Sequence, residues 1–68
     1  MTKFQGFATK EEARAFSRKH GGIVCWEERT PKTQKLTERG IDYMMAVQYG
    51  GLDRERYPYC VQWNEIQH

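Results

Sequence analysis

Apolar residues recur at helical spacing between Lys10 and His20, where Ala13, Phe16 and His20 mark an inward face with Ala15 beside it. Thr9 occupies the N-cap position and Glu12 follows three residues later, the pattern of a capping box. Glu11 and Glu12 lie in the first turn, and Arg18, Lys19 and His20 in the last, so both ends suit the helix dipole. Gly21 can take the left-handed conformation that stops a helix. The spacing therefore predicts an 11-residue helix, too short to stand without packing.

Elsewhere the pattern predicts strands. Lys3 to Phe7 forms a short one, with Gly6 allowing a bend. Gly22 to Glu28 holds Ile23, Val24, Cys25 and Trp26 in succession, as expected of a strand covered on both faces or one near the sheet centre. A polar stretch with Pro31 and a single apolar residue, Leu36, reads as a long exposed hairpin loop over residues 30–40. Ile41 to Tyr49 then alternates, with Ile41, Tyr43, Met45, Val47 and Tyr49 on one side and Asp42, Met44, Ala46 and Gln48 on the other. Gly50-Gly51 opens a charged turn, and a last strand runs from Tyr57 to Glu65. It places Tyr57, Tyr59, Val61 and Trp63 on one face, and Pro58 at its start suits an edge strand.

The expected fold is α+β, a single domain over residues 1–68. It is a small two-layer β-α-β-β-β arrangement with one helix on a mostly antiparallel sheet of three or four strands. Composition sharpens this. Val, Ile and Leu supply only 8 residues, so nine aromatics and three methionines must provide the core. Those aromatics crowd onto the expected strands while the helix offers a thin stripe. Part of the sheet face is left for another cover, and an uncovered apolar face usually marks an interaction site.

Charge is mild, +2 overall, but uneven: +3 over residues 1–20, +1 over 21–40 and −2 over 41–68. No stretch approaches the ~20 apolar residues of a membrane helix, and the first residues lack the apolar core of a secretory signal. A cytoplasmic location with Cys25 and Cys60 as free, buried thiols is the matching expectation.

Candidate chemistry is sparse. His20, Cys25, Cys60 and His68 lack the short paired spacings of structural zinc sites. Ser17 is the sole serine and sits mid-helix, and Glu11/Glu12 and Glu27/Glu28 are adjacent pairs whose side chains diverge. No glycine-rich phosphate loop occurs. The chain is expected to be no enzyme and to need no cofactor or metal. Two readings remain. In the first, the chain is an interaction module binding a protein partner or itself, as in a homodimer, through Tyr49, Tyr57, Tyr59 and Trp63. In the second, it is a nucleic-acid-binding accessory protein. Lys10, Arg14, Arg18 and Lys19 on the helix, with Lys32, Lys35 and Arg39 in the loop, would then contact phosphates.

Overall fold

A computed structural model describes residues 2–65. The element order is β1 (Thr2–Phe7), α1 (Lys10–His20), β2 (Ile23–Trp26), α2 (Glu38–Gly50) and β3 (Tyr59–Asn64). The fold is thus α+β, as the sequence implies, but β-α-β-α-β rather than β-α-β-β-β.

α1 forms where the capping signals place it. The Thr9 hydroxyl accepts the Glu12 N–H at 3.2 Å, and Gly21, at φ 82°, returns its N–H to the Ser17 carbonyl at 2.7 Å. Ala13 is fully buried, Phe16 is half-buried, and Ala15, expected beside the inward face, is exposed.

Ile41 to Tyr49 belongs to α2 and is not a strand. Nearly every position from 41 to 49 is apolar, so an alternating subset can be drawn through the segment whatever its conformation. The buried positions Gly40, Tyr43 and Ala46 instead repeat every three residues, as one face of a helix does. Met44, Met45 and Ala46 are strong helix formers. Thr37 caps the start by accepting the Gly40 N–H at 3.3 Å, and Gly51, left-handed at φ 73°, closes the end. The loop expected over 30–40 therefore ends at Thr37. Thr30 and Lys35 close its tip, Arg29 bridges Leu36, and Gln34 takes φ 58°.

The three strands lie in the order β1-β3-β2, with both flanking strands antiparallel to β3. β3 is central, contrary to the edge position that Pro58 suggests. Pro58 falls one residue before the ladder, where its missing N–H removes no pairing. The antiparallel meander expected of the last three strands does not form, because its middle member is α2.

Register fixes which residues share a face, since paired residues point the same way and neighbours alternate. Cys25 pairs Cys60, and Phe4 and Ile23 both pair Gln62, on one face. Val24 pairs Val61, and Phe7 and Trp26 pair Tyr59, on the other, which also holds Trp63. α1 covers the second face: the Phe16 ring lies 5.2 Å from Phe7 and 5.5 Å from Trp63. α2 covers the first, where Tyr43 and Ala46 join Cys25 and Cys60 in a buried cluster flanked by Phe4, Met44, Val47 and Leu52. The Gln62 amide ties the layers by donating to the Asp42 carbonyl at 2.5 Å. The domain therefore has three layers, helix on sheet on helix, rather than two. The surplus apolar residues of the expected sheet are largely the second helix itself.

Candidate functional site

The two helices present unlike outer surfaces. On α1 the exposed positions include Glu11, Glu12, Arg14, Arg18 and Lys19, the ordinary charged exterior of an amphipathic helix. On α2 no charged residue occurs from Tyr43 through Gly51. Ile41, Met45 and Tyr49, one turn apart in succession, are 48%, 52% and 82% exposed. They form an apolar stripe along the helix.

Beside this stripe, α2 and β1 enclose an open groove of about 410 Å3, lined by Phe4, Met45, Ala46 and Tyr49, with Thr2, Gln62 and the half-buried Asp42 at its polar side. The groove exists because α2 seats chiefly over β2 and β3 and leaves the β1 side of the sheet thinly covered. Gly50 lets the helix end come close: a Cβ there would run into the Phe4 ring. Among the described residues, β1 pairs with β3 alone, so its outer backbone edge is open.

The four aromatic candidates are dispersed. Tyr49 and Tyr57 are exposed, on α2 and in the connection before β3. Tyr59 and Trp63 are half-buried on the face beneath α1, with Tyr59 6.2 Å from the Trp26 ring. Sequence reasoning missed Ile41, Met45 and Phe4. The available signal is the charge-free run after Asp42, which is as compatible with a strand as with a helix.

The basic candidates are divided as well. Lys10 and Arg39 meet on the Trp26 ring, with Nζ 4.3 Å and the guanidinium carbon 4.7 Å from its centroid. Arg39 also pairs with Glu28 at 3.5 Å. Arg14, Arg18 and Lys19 are exposed on α1, while Lys32 and Lys35 stand at the tip of the loop before α2. Other cations are held locally, Arg29 and Arg54 by Glu27 and Lys3 by Glu65.

The cysteines face each other. Cys25 and Cys60 are an in-register pair across β2 and β3, both fully buried and both free thiols. The Cys25 thiol donates to the Ile23 carbonyl at 3.6 Å. A hydrogen bond from the Cys60 thiol holds the Cys25 pKa below the ordinary thiol range, and that same bond, with burial, pushes Cys60 up. Of the other metal-ligand candidates, His20 stacks on Phe16 at 4.5 Å, and His68 lies outside the described residues. Among the described residues, no three His, Cys, Asp or Glu side chains gather in a way that could hold a metal ion. No described helix is long and apolar enough to cross a membrane.

Comparison with known proteins found no match to a family model, to a curated protein or to a solved structure.

Proposed function

We propose that the protein is a non-enzymatic interaction module whose contact surface is the outer face of α2 and the groove between α2 and β1. One observation carries this reading: Ile41, Met45 and Tyr49 lie exposed in a row on a helix with no charge over its last two turns. Interface centres are depleted of charge and rich in Tyr and Met, which is the composition of this stripe. The occupant favoured is a second copy of this chain. Stripe against stripe about a two-fold axis is self-complementary, and a small domain gains stability by burying such a face.

Sedimentation velocity over a concentration series tests the reading. Wild type should shift toward dimer as concentration rises to about 100 μM, a Kd range worth roughly 5–6 kcal/mol of association energy. Met45→Glu with Tyr49→Glu should remain monomeric while keeping the wild-type circular dichroism spectrum. A wild-type chain that stays monomeric throughout would overturn self-association. The alternative, nucleic-acid binding, makes a different forecast: oligonucleotide binding at low salt that charge reversal at Arg14 and Arg18 weakens.

A further inference from the structure

Cys25 and Cys60 are directly opposed on neighbouring antiparallel strands and buried together beneath Tyr43 and Ala46. Paired residues in an antiparallel ladder have Cα atoms about 4.5 or 5.5 Å apart, inside the roughly 4.4–6.8 Å span of disulfides. Directly paired residues point to the same face of the sheet, so both side chains project together under α2. We propose that Cys25 and Cys60 are a dithiol–disulfide pair, a reversible covalent staple between β2 and β3 under α2.

The oxidant is a small-molecule disulfide. The Cys25 thiolate attacks one of its sulfurs, forming a mixed disulfide and expelling one thiolate, which takes up the proton that Cys25 lost. Cys60, giving up its own proton, then attacks the Cys25 sulfur and expels the second thiolate, which takes up that proton. The protein dithiol loses two electrons and two protons, and the small disulfide becomes two thiols. Cys25 lies on the edge strand β2 and is carried outward when that strand opens, whereas Cys60 stays in the central strand, which makes Cys25 the attacking group. Access is through β2, a strand of four residues at the sheet edge, whose opening uncovers both sulfurs together. The staple closes a loop of 34 intervening residues that contains the whole of α2. In the oxidised state β2 stays tied to β3 at the Cys25–Cys60 position.

The test is an equilibrium, so slow access to the buried sulfurs does not obscure it. Wild-type protein is equilibrated in buffers of oxidised and reduced glutathione, once under native conditions and once in strong urea. It is then quenched by alkylation and weighed intact. A native fold that favours the staple raises the ratio of disulfide to dithiol by roughly tenfold or more over the urea value, because the bond stabilises the fold and the fold stabilises the bond equally. The oxidised chain should show a tryptic link between residues 20–29 and 57–68 and a Tm higher by roughly 10 °C or more. A native ratio at or below that in urea, or disulfides formed between chains instead, would overturn the proposal. Neither result depends on what docks against α2.

Discussion

The Tyr43 hydroxyl, at the centre of α2, donates a 2.8 Å hydrogen bond to the Tyr57 carbonyl in the connection leading to β3. Tyr43 is 1% exposed and lies against Cys25, Ala46 and Cys60. One side chain thus fills the largest share of the small core and anchors the long connection from α2 to the central strand. Its remaining hydrogen bonds are local, the Asp53 carboxylate accepting the Glu55 and Arg56 N–H groups and the Asp53 carbonyl the Tyr57 N–H, while Leu52 packs on the core and Arg54 pairs with Glu27.

Burial, with the neighbouring Cys60 thiol a lesser influence, raises the Tyr43 pKa above its ordinary value of 10.0. The native state therefore keeps the phenol proton at a pH where the unfolded chain has lost it. The stability that Tyr43 contributes in this way is full below about pH 10 and falls as pH climbs above it. Tyr43→Phe should cost about 0.5–1.5 kcal/mol at neutral pH by removing the hydrogen bond, then lose less than wild type as the pH rises above about 10. Cys60 adds to the alkaline loss in both proteins, so the measurement is the difference between their denaturation curves at each pH.

Gly40 inverts the usual rule for helices. Replacing a helical glycine with alanine ordinarily stabilises by roughly 0.5–1 kcal/mol. Here a Cβ would drive into the backbone carbonyl oxygen of Glu28 and crowd the Leu36 side chain. Backbone cannot rotate away as a side-chain tip can, so Gly40→Ala should destabilise by about 2 kcal/mol or more, read as a lower urea midpoint.

The two N-caps should differ in worth. The Thr9 hydroxyl accepts the Glu12 N–H. The Thr37 hydroxyl accepts the Gly40 N–H and also donates to the Glu28 carbonyl at 3.3 Å, which joins the start of α2 to the segment that follows β2. Thr37→Ala should cost about 1–2 kcal/mol against about 1 for Thr9→Ala, and Thr37→Ser should recover most of the loss. Thermal melts of the three variants compare them directly.

The contrast between the helices explains what was legible. α1 is written in local signals: a threonine cap, acids then bases along its length, a stopping glycine and one apolar stripe. All act within a turn or two, so they can be read before any tertiary contact is known. The opposite faces of β3, with Tyr59, Val61 and Trp63 against Cys60 and Gln62, were legible for the same reason. α2 carries the same punctuation, Thr37 before it and Gly51 after it, but its interior is apolar at nearly every position. Both periods fit such a run. Its length and its Met-Met-Ala centre favoured a helix, and the alternating subset drew the other reading.

The sequence by itself determined the α+β class, the first helix and the burial of both cysteines. These follow from chemistry within a few residues. Only the tertiary structure decided that β3 lies between β1 and β2, that Cys25 faces Cys60, and that α2 closes the second face while showing Ile41, Met45 and Tyr49 to solvent. Those relations join residues up to 62 positions apart, as between Thr2 and Asn64 at the ladder's end, and no local periodicity encodes them. A dense apolar segment can bury one side or the other, and which one it buries depends on the sheet that assembles beneath it.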